Sequence, residues 1–170
     1  HQGESTGAVK ADKPSYFHSI LSALVLVLNN HQVMRGEGFN QRVFFRLFSS
    51  ILCEYSVAGL QNHEQHQGMI FALANKFISL QPRYVPGFVY GWLSLVAHRV
   101  FMSDMLNMPE RAGWGPYCEI MQTLLSYIGE QLKAGEIHYV AKDLYKGVLR
   151  ILLILHHDFP EFVAENHFQF

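Results

Sequence analysis

Apolar side chains recur along most of the chain at intervals of three and four residues, which is the spacing of one face of an α-helix. Seven helical segments are predicted in this way, and most of them start at a capping residue or a proline. The predicted starts lie near Asp12, Asn40, Asn62, Pro86, Pro116, Ile137 and Asp158. Alternating apolar and polar runs are absent from the sequence, as are Asn-Gly and Asp-Gly turns. We therefore predict an all-α protein.

The fourth segment, residues 86–102, is apolar on nearly every side, and this pattern predicts a central, buried helix. The second segment shows the more usual pattern, in which an apolar face lies opposite a polar one. Together with the apolar positions of the fifth and sixth segments, these faces predict a core that contains Phe44, Phe48, Phe88, Trp92, Leu95, Leu124, Ile151 and Leu155.

The predicted helix starts are about 22–30 residues apart, so pairs of helices recur at close to the period of HEAT and armadillo units. In such arrays each pair needs its neighbours to bury its apolar face. We therefore expect stacked antiparallel helical hairpins of the HEAT type. The pairs show no sequence similarity to one another, so an irregular helical bundle is the alternative.

The two ends of the chain differ from the helical middle. Residues 1–12 are polar and contain glycine, and we expect a disordered tail before the helical domain of residues 13–170. The chain begins at His1 without a methionine and ends on the apolar stretch 167–170. We expect the N-terminal part of a helical domain that continues beyond Phe170 in a longer protein.

Charged residues are scarce in this sequence. They make up 16% of it, against roughly 25% in an average soluble domain, while 49% of the residues are hydrophobic. A large core or an apolar surface that contacts a partner would explain this balance. The net charge of -1 gives no general attraction to nucleic acid or to an anionic membrane. The longest apolar runs are also much shorter than the ~20 residues that cross a bilayer.

Catalytic and metal-binding patterns are weak. His63 and His66 are three residues apart, whereas a zinc hydrolase motif places two histidines four apart around a glutamate. Cys53 and Cys118 are 65 positions apart and form no metal pair, and nucleophile elbows and phosphate-binding loops are absent. We therefore predict no enzyme, no cofactor and no metal. A histidine-based metal hydrolase is the less favoured alternative.

Two rows of basic side chains are candidate contact sites. Arg42 and Arg46 are four residues apart in the second segment, and Lys142, Lys146 and Arg150 are spaced likewise in the sixth. Such rows can bind phosphates or carboxylates, although they are commonly solvated helix faces. The near-zero net charge favours acidic peptides, and an RNA-binding helical repeat is the alternative.

Aromatic and methionine side chains cluster around the connection between the fourth and fifth segments. Because interfaces are enriched in these residue types and loops cannot easily bury them, we expect a groove or partner contact there. The candidate residues are Tyr84, Phe101, Met102, Met105, Met108 and Trp114.

Three blocks of the sequence resemble the large scaffolding NOT subunit of the CCR-NOT deadenylase complex. They are residues 39–50 (FNQRVFFRLFSS), 80–99 (from LQPRYVPGF to HR) and 144–162 (from LYKG to HHDFPEF). The blocks follow the order and approximate separations of the family, and the resemblance covers about residues 14–170. The matching region is the C-terminal NOT domain of that scaffold.

This resemblance implies stacked HEAT-type hairpins without catalytic activity. It also implies docking of the NOT-box subunits, of the NOT2 and NOT3/5 types, and of short motifs in mRNA-binding adaptors. The implied role is to support mRNA deadenylation, decay and translational repression, in the cytoplasm and the nucleus and without direct contact to nucleic acid. No contact residues are carried over from the family.

Overall fold

The computed structural model describes residues 13–59, 63–133 and 139–169. These residues form α-helices and short 3-10 turns, and none of them lies in a strand, which confirms the all-α prediction. The helices are α1 (Lys13–Arg35), α2 (Gln41–Gly59), α3 (His63–Ser79), α4 (Val89–Val96), α5 (Arg99–Leu106), α6 (Trp114–Lys133), α7 (Tyr139–Asp158) and α8 (Pro160–Asn166). The predictions for the tail at 1–12 and for the helix starts near Asp12, Asn62 and Ile137 lie outside the described residues.

The helices stack in two layers. In one layer α1 packs on α3 and α3 on α6; in the other α2 packs on α4 and α4 on α7. Contacts of α2 with α3, α6 with α7 and α7 with α8 join consecutive antiparallel helices. This arrangement confirms the predicted stack of helical hairpins, since each helix buries its apolar stripe against neighbours in both layers.

The predicted fourth helix is divided into α4 and α5 at Ala97 and His98. His98 has an extended backbone (φ -64°, ψ 128°), and its carbonyl oxygen accepts a 2.9 Å hydrogen bond from the Met102 amide in the first turn of α5. The sequence contains neither proline nor glycine at this break. The prediction of one continuous helix over 86–102 was therefore wrong, although α4 itself is largely buried.

Helix ends follow the sequence signals in part. The Asn40 side chain accepts a 3.2 Å hydrogen bond from the Arg42 amide, so Asn40 caps α2 as predicted. α1 continues past Asn29 and Asn30, a residue type that favours helix ends, as far as Arg35. The next residues, Gly36–Gly38, form a 3-10 turn in which Gly36 has a positive φ.

The interior is built around a chain of aromatic rings. All eight residues expected in the core are buried. Successive rings in contact connect α2, α3, α5, α6 and α8 through Phe48, Phe77, Phe101, Tyr117 and Phe162. Their centroids are between 4.9 and 6.2 Å apart, within the usual range for aromatic pairs.

Two aromatic side chains donate hydrogen bonds to carbonyl groups at helix ends. The last four carbonyls of a helix have no donor within it. Trp92 Nε1 donates to the Phe77 carbonyl in the last turn of α3, and Tyr117 Oη donates to the Val96 carbonyl at the end of α4. Both bonds are buried, so they fix how successive hairpins meet.

Candidate protein-interaction surface

The outer side of α1 is an exposed apolar surface, which we call the α1 face. Its large side chains are Tyr16, Ile20, Leu26, Val27, Val33 and Met34. On the opposite side of the helix, Phe17, Leu21 and Leu28 are buried in the core. Leu26 is 61% exposed and Met34 is 85% exposed, so these side chains do not take part in the core.

The α1 face also lacks charge. No Asp, Glu, Lys or Arg occurs between Pro14 and Met34. The surface helices of a globular protein normally carry charged side chains opposite the core. Contiguous exposed apolar patches beyond a few hundred Å² are rare on monomeric proteins and mark interaction sites. The α1 face is therefore the first candidate contact surface.

The outer side of α7 forms a second surface, the α7 face, which consists of two rows. The basic row is Lys142, Lys146 and Arg150, and the apolar row is Tyr145, Leu149 and Leu153. All six residues are exposed, because the core-facing side of α7 carries the buried residues Leu144, Val148, Ile151 and Leu155. Asp143 lies 3.3 Å from the ammonium of Lys146. The basic row predicted from the sequence thus lies on the surface.

The other basic pair lies on the same layer of helices. Arg42 and Arg46 are exposed on the side of α2 that lies opposite Phe44 and Phe48. Nearby on α2, an open cavity of about 480 Å³ is lined by Ser49, Ser50, Cys53, Glu54 and Val57. α2 and α7 both pack against α4. The two rows that the sequence places 100 residues apart therefore belong to one layer.

The predicted aromatic and methionine contact is largely wrong. Phe101, Met102, Met105 and Met108 are at most 6% exposed and belong to the core. The reason is that α5 packs against helices of both layers, α2 and α4 in one and α3 and α6 in the other, which buries the residues assigned to a groove. Of this group, Tyr84 is exposed and Trp114 is partly buried.

The segment between α5 and α6 is folded back onto the protein. Glu110 and Arg111 both have positive φ values, which non-glycine residues seldom adopt. The Arg111 guanidinium lies 4.4 Å from the centroid of the Trp114 ring and pairs with Glu161 and Glu165 of α8. Trp114 Nε1 donates a 3.0 Å hydrogen bond to the Leu106 carbonyl. These contacts hold the segment against α8.

Two of the histidines pair with polar side chains elsewhere in the fold. His66 Nε2 lies 2.9 Å from Asp104 Oδ2, which joins α3 to α5. His98 Nε2 lies 3.2 Å from Ser49 Oγ, and burial lowers the pKa of His98. Within residues 13–59, 63–133 and 139–169, no three His, Cys, Asp or Glu side chains are grouped so that they could hold a metal ion.

The cysteine at the start of α6 is buried. Burial raises the pKa of Cys118, so the thiol form is favoured. Its sulfur donates a 3.2 Å hydrogen bond to Gln169 Oε1. Cys53 is exposed on α2. Within residues 13–59, 63–133 and 139–169, no helix combines the length and the hydropathy that a membrane span requires.

The stacked helical hairpins place this chain in the class of helical-repeat proteins. Comparison with known proteins gives the family. Residues 52–170 match the family described as CCR4-Not complex component, Not1, and the chain belongs to this family.

Relatives match over nearly the whole chain. It is 28% identical over 167 residues to the general negative regulator of transcription subunit 1 of Saccharomyces cerevisiae, and 30% identical over 168 residues to the protein of that name in Schizosaccharomyces pombe. These matches cover 91% and 99% of the chain and 8% of each relative. The chain thus spans less than a tenth of their length.

Solved structures share the fold. The NOT1 superfamily homology domain from Chaetomium thermophilum matches with a TM-score of 0.85 and 36% identity, over 88% of this chain and 30% of that one. A Not1 C-terminal domain in complex with Not4 matches with a TM-score of 0.76 and 28% identity, over 99% of this chain and 34% of that one.

Proposed function

We propose that this chain is a non-catalytic scaffold domain that docks other subunits and adaptors of the CCR4-Not complex. The family to which the chain belongs is described as a CCR4-Not complex component, which supports this proposal. A solved relative of similar fold is a Not1 C-terminal domain in complex with Not4. The proposed partners are NOT-box subunits of the NOT2 and NOT3/5 types, a Not4-type subunit and short motifs of mRNA-binding adaptors.

The observation that carries the proposal is the α1 face. A partner segment that covers Leu26, Val33 and Met34 would remove from water apolar surface that no described part of the chain covers. Burial of such surface contributes roughly 25 cal/mol per Å². Segments that become ordered on binding lose conformational entropy and therefore need several apolar anchors of this kind.

The role that follows is to connect mRNA targets, through adaptors, to deadenylases held elsewhere on the same scaffold. Docking in this role supports mRNA decay and translational repression in the cytoplasm and nucleus. The relatives are more than ten times longer than this chain. We therefore also propose that the helical stack continues beyond Phe170 in the intact protein.

The test is calorimetric titration of the chain with a purified complex of a NOT2-type and a NOT3/5-type subunit. We expect binding with a negative heat-capacity change, which is the signature of apolar burial. The double variant L26S/M34S should weaken binding by about tenfold or more, since it removes two apolar anchors. Both positions are largely exposed, so the fold should not change.

The matched control is Val57→Ser on α2, which exchanges another exposed apolar side chain (71% exposed) outside the α1 face. It should leave the affinity unchanged. Failure of the well-folded chain to bind the subunit complex, a Not4-type subunit or any adaptor motif tested would contradict the proposed function. Equal losses in L26S/M34S and V57S would contradict the assignment of the α1 face.

A further inference from the structure

The two rows of the α7 face are arranged so that one elongated ligand can contact both of them. Each row repeats every four residues, so the rows run side by side along the helix for more than two turns. Leu153 is 68% exposed, and Lys146 has 63% of its side chain exposed. A ligand that lies along α7 can therefore reach apolar and cationic groups at the same time.

The charge of the α7 face favours an acidic ligand. α7 contains three basic and two acidic residues, and its three basic residues form the basic row. The layer of α2, α4 and α7 contains five basic and three acidic residues in a chain whose net charge is -1. A basic row of this kind steers an acidic partner toward α7.

We propose that the α7 face binds an acidic amphipathic helix of a partner protein. Leucine-like side chains of the ligand pack against the apolar row, and its flanking carboxylates pair with the basic row. This is recognition of a helix by a surface with anchors at successive turns. This inference rests on the proposed function. It adds to that function the chemistry of one docked partner.

Polyanions fit the α7 face less well than such a peptide. A nucleic-acid backbone offers no apolar counterpart to Leu149 and Leu153. Asp143 and Asp158 also lie on α7, and Asp143 already pairs with Lys146. A closely spaced row of phosphates would meet these carboxylates, whereas a peptide can place its own carboxylates away from them.

Two synthetic peptides test the inference by fluorescence anisotropy. The first is a fluorescein-labelled helix of about 18 residues, which spans roughly 27 Å, with leucines at successive turns and glutamates beside them. The second is identical except that every glutamate is replaced by lysine. We expect the wild-type chain to bind the acidic peptide at least about tenfold more tightly, with a difference that shrinks at high salt.

Charge-reversal variants distinguish a loss of peptide recognition from damage to the fold. The variant K142E/K146E should lose about tenfold or more in affinity for the acidic peptide and gain affinity for the basic one, because both changes reverse the same row. L149S/L153S should weaken binding of the acidic peptide. K133E on α6 is the control, since Lys133 is an exposed basic residue on another helix, and it should bind both peptides as the wild type does. Circular dichroism should show equal helicity in every variant.

Equal affinity of the wild-type chain for both peptides would overturn the inference. So would equal losses in K133E and K142E/K146E. Tighter binding of single-stranded poly(U) or phosphatidylserine vesicles through the same lysines would overturn it in favour of a polyanion site. The peptides contain no CCR4-Not subunit, so failure here leaves the proposed docking function standing. If the peptide is recognised as expected but no subunit or adaptor binds, the proposed function fails alone.

Discussion

Trp92 Nε1 donates a 2.6 Å hydrogen bond to the carbonyl oxygen of Phe77, so a residue of α4 completes the last turn of α3. Trp92 is fully buried. It therefore stabilises the fold in two ways, by packing in the core and by donating a hydrogen bond to a buried carbonyl. We expect Trp92→Ala to lower the free energy of unfolding by about 3–5 kcal/mol. Trp92→Phe keeps most of the packing but removes the donor, and it should lower that free energy by about 1–3 kcal/mol.

Urea denaturation followed by circular dichroism measures both changes. If Trp92→Phe is as stable as the wild type, the hydrogen bond and the extra volume of the indole contribute nothing beyond a phenyl ring. If Trp92→Ala is as stable as the wild type, the assignment of Trp92 to the core is wrong. The exposed Tyr84→Ala change is a control that should have little effect.

The sequence was sufficient to predict the helices and the core, because both depend on the spacing of apolar residues. Phe44, Phe48 and Leu124 lie where their spacing placed them. The break at His98 could not be read in the same way. No proline or glycine marks it, and the contact with Ser49 comes from a helix 49 residues earlier.

The candidate contact surfaces were harder to predict than the core. Apolar residues near a connection were expected to be exposed, yet Met105 and Met108 are buried because α5 is packed between helices of both layers and the following segment is folded against α8. Conversely, the spacing of the apolar residues in α1 does not show which of these side chains another helix covers. Val27 directly precedes the buried Leu28 in the same apolar run, but it is 53% exposed. Tertiary packing decides which sides of a largely apolar helix are covered.

Tyr117 makes the stability of the protein sensitive to high pH. Burial raises the pKa of Tyr117 well above its ordinary value of 10.0. The unfolded chain therefore releases the phenolic proton first as the pH rises, and the folded state keeps it. Stability contributed by this group is fully present below about pH 10 and is lost above it.

We expect the free energy of unfolding to fall more steeply between about pH 9 and pH 11 in the wild type than in Tyr117→Phe. The variant also leaves the Val96 carbonyl without its donor, so at neutral pH it should be less stable by about 1–2 kcal/mol. Urea titrations at several pH values measure both effects. Parallel pH profiles for the two proteins would show that Tyr117 ionises equally easily in both states.

His98 makes the stability of the protein sensitive to low pH. Burial lowers the pKa of His98 from its ordinary value of 6.5, so the unfolded chain takes up the proton first as the pH falls. Stability contributed by the neutral imidazole is present above about pH 6.5 and is lost on acidification. In His98→Gln this loss should be absent, since an amide does not titrate.

The measurement is the difference in unfolding free energy between pH 7.5 and pH 5.5 for the wild type and His98→Gln. The other histidines are the same in both proteins, so their shared contribution cancels in the comparison. His156→Gln is the matched control, because His156 is exposed at the end of α7. A loss on acidification that is equal in the wild type and in His98→Gln would contradict the assignment.

Two glycines should respond to alanine in opposite directions. A Cβ at Gly113 would overlap the carbonyl oxygen of Met105, which is backbone and cannot move away easily. A Cβ at Gly129, within α6, would meet no atom within 4 Å. We expect Gly113→Ala to lower the free energy of unfolding by about 2–4 kcal/mol, and Gly129→Ala to raise it by about 0.5–1 kcal/mol, because alanine loses less backbone entropy in a helix.

Thermal and urea denaturation of the two variants measure these shifts side by side. Gly113 lies close to the backbone of Met105 where the segment after α5 folds back onto the protein, and Met105 and Met108 are buried there. Gly113→Ala should therefore also increase proteolysis within residues 107–113, whereas Gly129→Ala should not. Equal stability and equal proteolysis of the two variants would mean that this segment does not lie against α5 as described.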